Sequence, residues 1–132
     1  AGSYVFLDTD YQAVKHQGAA ADRFREALFV QASVVSAAQE DCVTTDAGLK
    51  AFATDCGLPE LRRGAPAGAS YGFSGDEHGR ITFAGSERIG LGAVVECLSP
   101  HCDPTVNLYG VYHVVRGDTL VDIWPVDTRG LR

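Results

Sequence analysis

Short apolar segments separated by glycine, proline and acidic residues recur along this chain, and their spacing is what most constrains its fold. In the clearest example, two apolar, β-branched segments within 111–124 flank Gly117-Asp118, a pair typical of β-hairpin turns. Segments 71–74 and 80–83 flank a second turn, with a glycine at each end. Many short strands separated by turns predict a mainly β domain, an antiparallel β-barrel or a sandwich, with one or two short helices.

Other segments predict additional strands by their apolar and β-branched content. Residues 24–36 favour one long, largely buried strand, and a helix is the competing interpretation because Arg25-Glu26-Ala27-Leu28 could begin one. Trp124 is expected to anchor the core from the last strand. The remaining assignments are a short strand at 4–7, a loop or marginal helix at 12–23, two strands or one bent strand at 42–46 and 50–55, a surface loop at 57–68 and a strand within 90–98.

The 132 residues are of single-domain size, enough to bury a sizeable core. A formal net charge of -6 argues against nucleic acid and anionic membranes as partners, because binding to phosphate depends on clustered lysine and arginine. No apolar segment approaches the roughly 20 residues that span a bilayer. The sequence has four irregularly spaced cysteines, Cys42, Cys56, Cys97 and Cys102. We expect them to be reduced thiols in a cytoplasmic protein.

His101 and Asp103 are the candidate metal ligands. In extended backbone, side chains at i and i+2 share a face, so this imidazole and this carboxylate could bind one divalent cation while Cys102 points the other way. Two protein ligands leave positions open for water or substrate. The alternative is a loop histidine beside a turn-capping aspartate. Cys102 would be a third ligand only if the backbone here is not extended.

Four short segments of this chain occur in the same order as in a known protein family, and we call them the family-like segments. The most specific is His-Cys-Asp-Pro-Thr-Val-Asn at 101–107. The supporting segments are Gly-Ser-Tyr-Val-Phe-Leu-Asp at 2–8, Asp-Ala-Gly-Leu-Lys-Ala at 46–51 and Asp-Glu-His-Gly at 76–79. Together they resemble the C-terminal domain of the D-threonine aldolase and D-serine dehydratase family, and the resemblance covers nearly the whole chain.

This resemblance implies a pyridoxal phosphate enzyme of the alanine racemase type, with an N-terminal α/β barrel, a C-terminal β domain, and a metal held by His101 and Asp103. Such enzymes hold the cofactor on a lysine amine. The two lysines here, Lys15 and Lys50, are not in a setting like that of the cofactor lysine, which belongs to the barrel. We therefore expect residues 1–132 to be a single metal-binding β domain of a larger enzyme, a proteolytic fragment or an expressed domain, inactive by itself.

The resemblance also implies a reaction on a D-3-hydroxy amino acid. The cofactor acts as an electron sink and the metal as a Lewis acid toward the β-hydroxyl, so that Cα–Cβ cleavage gives glycine and an aldehyde. Loss of the Cα proton would instead lead to dehydration. In the family the second ligand is aspartate in the aldolases and cysteine in the zinc-dependent D-serine dehydratases. Asp103 therefore favours a D-threonine aldolase-like lyase with Mn²⁺ or Mg²⁺, with Zn²⁺ and a D-serine dehydratase as the alternatives.

Glu77 and His78 are candidate catalytic residues. Their side chains could orient a metal-bound water or approach the cofactor, whereas the alternative is a polar hairpin tip in which Asp76 caps its own turn. Active sites of this enzyme type form where the barrel of one subunit meets the C-terminal domain of another, so we expect a homodimer. Four further side chains that could face a cofactor are Asp55, Tyr4, Tyr71 and Tyr109.

A non-catalytic role remains the competing hypothesis. The domain could be a dimerisation module of a related racemase, with a vestigial metal site. Independent hydrolytic chemistry is disfavoured, because the sequence has no third histidine or glutamate at ligand spacing and no nucleophile elbow. In either case, a domain separated from its barrel should expose an apolar face.

Overall fold

The computed structural model describes residues 3–12, 24–127 and 129–130. Within them, eight strands form a six-stranded sheet and a separate two-stranded hairpin, and the helices are short, so the fold is mainly β as the turn spacing predicts. The elements are a 3₁₀ turn at Ser3–Val5, α1 at Thr9–Gln12, β1 at Phe29–Ser36, β2 at Cys42–Thr45, a 3₁₀ turn at Leu49–Ala51, β3 at Glu60–Arg63, β4 at Ser70–Phe73, β5 at Gly79–Thr82, β6 at Val94–Leu98, α2 at Cys102–Val106, β7 at Val111–Arg116 and β8 at Thr119–Pro125.

The six-stranded sheet is antiparallel, has the order β3-β6-β1-β2-β5-β4 and forms a nearly closed barrel. Alternation along β1 directs Val30, Ala32 and Val34 inward, because successive side chains of a strand point to opposite faces. Ile81 on β5 and Val95 on β6 are fully buried in the same core. The predicted strand within 24–36 is therefore present, but it begins at residue 29 and buries one face only; the helical alternative is wrong.

Both predicted hairpins are confirmed. Strands β4 and β5 pair across the turn at 74–78, and β7 and β8 pair across Gly117 and Asp118. Gly117 has a φ of 59°, a left-handed conformation that glycine adopts without steric cost. Tyr112 lies opposite Trp124 in the second hairpin.

The predicted strand at 4–7 is wrong. This segment is a 3₁₀ turn followed by an irregular stretch, and its backbone bonds reach other loops instead of a sheet partner. The Ala27 N–H donates to the Phe6 carbonyl at 3.1 Å, and the Thr9 N–H donates to the Ser99 carbonyl at 3.3 Å. Residues 6–9 thus bridge the start of β1 and the end of β6. The predicted element at 12–23 lies almost entirely outside the described residues.

Two further assignments in the middle of the chain need correction. The predicted loop at 57–68 contains the short strand β3, which pairs with β6. Pro59 and Gly64, residue types that interrupt strands, fall just outside it. The predicted strand at 50–55 is a 3₁₀ turn at Leu49–Ala51 followed by loop.

Arg62 on β3 ties the edge of the sheet to the segment before β1. Its Nε donates to both carboxylate oxygens of Glu26, at 2.9 and 2.8 Å. Burial of Glu26 opposes its ionisation, but the hydrogen bonds from Arg62 and Gln12 outweigh that effect and lower the pKa of Glu26.

The β7–β8 hairpin exposes a large apolar surface. Trp124 is 55% exposed, so its expected role as a core anchor is wrong: β8 pairs only with β7 and lies outside the barrel core. The exposed apolar side chains of the hairpin are Val111, Val115, Leu120, Val121, Ile123 and Trp124. Among the described residues, no helix is long and apolar enough to cross a membrane.

Candidate metal centre

Asp8 fixes the loop that carries the metal motif. Its carboxylate is 1% exposed and accepts the Cys102 N–H at 2.7 Å and the Tyr11 N–H at 3.0 Å. The Thr9 hydroxyl donates to the Pro100 carbonyl of the same loop at 3.2 Å. The first and last of the four family-like segments are therefore joined through one buried carboxylate.

The backbone of the motif is extended only at His101, where φ is -144° and ψ is 116°. Helix α2 begins at Cys102, so the expectation of extended backbone through Asp103 is wrong. Pro104 is compatible with this helix, since proline is tolerated in the first helical turn, where backbone N–H groups have no intrahelical acceptor. Cys102 is fully buried and its thiol donates to Asp103 Oδ1 at 3.5 Å, whereas the side chain of Asp103 is exposed in the first turn.

The imidazole of His101 is held by a carboxylate from a distant loop. Its Nδ1 lies 2.7 Å from Asp55 Oδ2 and 3.7 Å from Cys56 Sγ. The ligand atoms of these three residues all lie within 4.8 Å of one another. The hydrogen bond to Asp55 raises the pKa of His101; burial opposes this shift, and the charges of Asp55, Asp103 and Asp8 add to it.

Two buried hydroxyl groups bring the Asp55 loop to the metal motif. Thr105 Oγ1 on α2 accepts the Ala53 N–H at 2.9 Å and donates to the His101 carbonyl at 2.7 Å. The Ser99 hydroxyl lies 2.7 Å from Thr105 Oγ1 and donates to the same carbonyl at 2.9 Å. Residues 53–55 are therefore fixed relative to His101 by hydrogen bonds.

The donor set around His101 fits a divalent cation. Nδ1 is occupied by Asp55, and the described residues make no hydrogen bond to Nε2, so this nitrogen is available to an ion. Asp103, two positions later in the first turn of α2, has an exposed carboxylate, which is a hard oxygen donor. Carboxylates of Asp8, Asp55 and Asp103 surround the imidazole closely enough to raise its pKa, and the same negative potential favours a cation.

Glu77 and His78 lie elsewhere, at the exposed tip of the β4–β5 hairpin. Glu77 forms an ion pair with Lys50, and the His78 carbonyl accepts the Ser74 N–H at 2.8 Å to close the turn. The Leu49 N–H donates to the Gly75 carbonyl at 3.0 Å. The other two family-like segments, 46–51 and 76–79, are therefore packed against each other, and the bonds of Glu77 and His78 are made there instead of to His101.

Two of the three tyrosines considered for a cofactor-facing role, Tyr71 and Tyr109, make structural hydrogen bonds. Tyr71 is 4% exposed and its hydroxyl donates to the Ala47 carbonyl, with Thr45 Oγ1 2.8 Å away; burial raises its pKa. The Tyr109 hydroxyl donates to the Ala51 carbonyl at 2.8 Å.

Sequence reasoning missed the roles of Asp8 and Thr105 and the direct contact between Asp55 and His101. Asp8 carried one signal, because an acidic residue directly after an apolar segment is a candidate acceptor for a loop or helix N-terminus. Asp55 was a candidate only for facing a cofactor. No sequence signal indicated its contact with His101 or that of Thr105 with Ala53, since these contacts join residues 46 and 52 positions apart.

Known proteins are similar to this chain over most of its length. Residues 27–115 match the family described as "Putative serine dehydratase domain". The chain is 42% identical to a D-threonine aldolase from Arthrobacter sp over 98% of its length, and 35% identical to a 3-hydroxy-D-aspartate aldolase from Paracoccus denitrificans, also over 98%.

Solved structures show the same fold. The crystal structure of D-threonine aldolase from Filomicrobium marinum superposes with a TM-score of 0.86 at 33% identity, covering 98% of this chain and 34% of that one. D-threo-3-hydroxyaspartate dehydratase from Delftia sp. HT23 gives a TM-score of 0.62 at 21% identity, covering 74% of this chain and 30% of that one. The chain spans about a third of the length of the curated relatives it matches, 34% and 33% of the two aldolases.

Proposed function

Because the chain belongs to the serine dehydratase domain family, we propose that it is the metal-binding C-terminal domain of a pyridoxal phosphate-dependent D-threonine aldolase-like lyase. The substrates would be D-3-hydroxy amino acids, cleaved to glycine and an aldehyde. The observation that carries the proposal is a carboxylate-held His101 that is followed, two positions later, by the exposed carboxylate of Asp103. The 42% identity to a D-threonine aldolase across nearly the whole chain supports it.

The chain's residues would present the ion with one neutral nitrogen from His101 and one anionic oxygen from Asp103. Asp8 holds the intervening backbone through the Cys102 N–H, so the two side chains emerge from a fixed loop. A divalent ion bound there supplies Lewis acidity toward a substrate hydroxyl, and pyridoxal phosphate in the barrel supplies an electron sink. The hard carboxylate favours Mn²⁺ or Mg²⁺ over Zn²⁺.

The proposed intramolecular partner is an N-terminal α/β barrel that carries the cofactor. About two thirds of each curated relative lies outside the matched region, which is enough for such a domain. The hairpin exposes a cluster of apolar side chains, among them Leu120 (52% exposed), Ile123 (51%) and Trp124 (55%). Such a cluster differs from singly exposed apolar residues and would be covered in the whole protein. We propose that the barrel of the same polypeptide packs on this surface. We further propose that the whole protein is a homodimer and that this domain is inactive by itself.

Glu77 and His78 keep a proposed catalytic role in this account. Both side chains are exposed at a hairpin tip whose backbone is anchored on the 46–51 loop, so a substrate held by another domain could reach them. None of the four cysteines forms a disulfide within the part of the chain that the structure describes, which is consistent with a cytoplasmic enzyme.

A D-serine dehydratase is the second candidate function. The description of the matching family favours it. The second ligand, aspartate in place of cysteine, ranks it below the aldolase.

Product analysis of the whole protein separates the two functions. The purified protein is incubated with D-threonine and with D-serine, before and after treatment with EDTA, with L-threonine as the stereochemical control. We expect glycine and acetaldehyde from D-threonine, loss of both on chelation, and recovery with Mn²⁺. Pyruvate from D-serine with little glycine would establish the dehydratase, and the absence of both products would leave a non-catalytic module.

A further inference from the structure

We propose that Asp55 is the positioning residue for His101: it accepts the Nδ1–H of the ring and thereby directs the Nε2 lone pair to the metal. The inference rests on the proposed function in one respect, that His101 is a ligand. No family-like segment of the sequence includes Asp55, and its assignment depends on the structure.

The contact is short and comes from a separate loop. His101 Nδ1 and Asp55 Oδ2 are 2.7 Å apart, a normal length for a charge-assisted hydrogen bond, although the residues are 46 positions apart in sequence. The loop that carries Asp55 is fixed two residues earlier, where the Ala53 N–H donates to Thr105. Thr105 in turn donates to the backbone carbonyl of His101. The carboxylate and the ring are therefore held by the same network.

The chemistry of the two groups determines which ring nitrogen is free. A neutral imidazole has one N–H donor and one acceptor nitrogen, and an ionised carboxylate can only accept. Since Asp55 accepts from Nδ1, the single N–H proton of the neutral ring is on Nδ1 and the lone pair is on Nε2. Histidines that bind metals commonly donate their second nitrogen to a carboxylate in this way, which fixes the ring and increases the basicity of the ligating nitrogen.

The nearby thiol raises a competing interpretation, in which Asp55, Cys56 and His101 bind an ion among themselves. Two nitrogen or oxygen ligands at about 2.1 Å from one tetrahedral ion are about 3.4 Å apart. The observed 2.7 Å between Nδ1 and Oδ2 is too short for an ion between them and matches a hydrogen bond. Cys56 is exposed beside this pair, and it provides a matched control.

The test compares Asp55→Ala, Asp55→Asn and Cys56→Ser in the whole protein. Mn²⁺ affinity is measured from the electron paramagnetic resonance signal of free Mn²⁺. We expect Asp55→Ala to weaken binding about 10- to 100-fold, as loss of such a carboxylate does at other metal sites. Asp55→Asn should weaken it less, because the amide oxygen still accepts from Nδ1, and Cys56→Ser should bind as the wild type does.

A second readout needs no metal. Spectra of the metal-free protein with ¹⁵N-labelled histidine, assigned with His101→Ala and recorded at a pH high enough for the ring to be neutral, should show the Nδ1–H tautomer of His101 and its loss in Asp55→Ala. Wild-type affinity in Asp55→Ala, an equal loss in Cys56→Ser, or a wild-type ring protonated on Nε2 would each overturn the assignment. Failure of Mn²⁺ to bind the wild type would instead refute the proposed function, and the tautomer would still decide the role of Asp55.

Discussion

Replacing Asp8 by alanine should loosen the loop that carries the metal motif. Asp8 is buried and its two carboxylate oxygens accept the Cys102 and Tyr11 N–H groups, at 2.7 and 3.0 Å. The substitution removes both acceptors at once, including the one that holds the start of α2 next to His101.

The size of the effect follows from these two bonds. Hydrogen bonds to a charged acceptor contribute about 1.5–3 kcal/mol each, so two are worth about 3–6 kcal/mol. Removing a buried carboxylate also removes its cost of dehydration, which offsets part of the loss. We therefore expect a net local destabilisation of about 3 kcal/mol, equivalent to about a 100-fold increase in the opening equilibrium of the loop.

Hydrogen–deuterium exchange of peptides covering residues 99–106 measures this opening directly. Exchange in Asp8→Ala should be about 100-fold faster than in the wild type, given 1.36 kcal/mol for each factor of ten. The matched control is Asp10→Ala, two residues away and exposed, which should leave exchange unchanged. Equal exchange in the two variants would refute the claim that Asp8 holds the loop.

Three further perturbations have defined outcomes. Gly48→Ala should destabilise the protein by about 1–3 kcal/mol in urea unfolding, because an added Cβ would collide with backbone carbonyls of the β4–β5 turn, whereas Gly90→Ala, with open space around it, should have little effect. The lowered pKa of Glu26 means that its ion pair with Arg62 stabilises the fold above the ordinary glutamate pKa, and that this contribution is lost as pH falls through the lowered value. The difference in unfolding free energy between wild type and Glu26→Gln should therefore shrink on acidification. A difference that does not change with pH would contradict the assignment. Trp124→Ser should lower the unfolding free energy of the whole protein by about 2–3 kcal/mol if another domain covers the exposed half of the ring. The control Leu91→Ser, at a 73% exposed position outside the hairpin, should be neutral. Equal unfolding midpoints of the two variants would show that no domain covers this surface.

Local sequence signals predicted the parts of the fold that depend on adjacent residues. The β7–β8 hairpin was predictable because Gly117 and Asp118 form its two-residue turn and both flanking segments are β-branched. Strand β3 was not, since Glu60–Arg63 is short and polar and becomes a strand only by pairing with β6, more than 30 residues later. Propensity contains no information about such a partner.

The candidate site divides in the same way. His101 and Asp103 were identified from their spacing and from the resemblance, but the extended backbone inferred for them was wrong because Pro104 permits a helix to begin at Cys102. Trp124 was misplaced because its apolar character predicts burial, whereas the hairpin lies outside the barrel core. The contact between Asp55 and His101 depends on two loops that are distant in sequence and meet only in the folded chain, so it could be identified only in the structure.

We propose that His101 and Asp103 hold a divalent ion required for cleavage of D-3-hydroxy amino acids. The most direct measurement is Mn²⁺ binding and D-threonine cleavage by the whole protein in His101→Ala and Asp103→Ala, with the exposed Asp41→Ala as the control. We expect each ligand variant to lose Mn²⁺ affinity by more than about 100-fold and to lose cleavage with it, while the control keeps both. Wild-type Mn²⁺ binding and wild-type cleavage in the two ligand variants would contradict it.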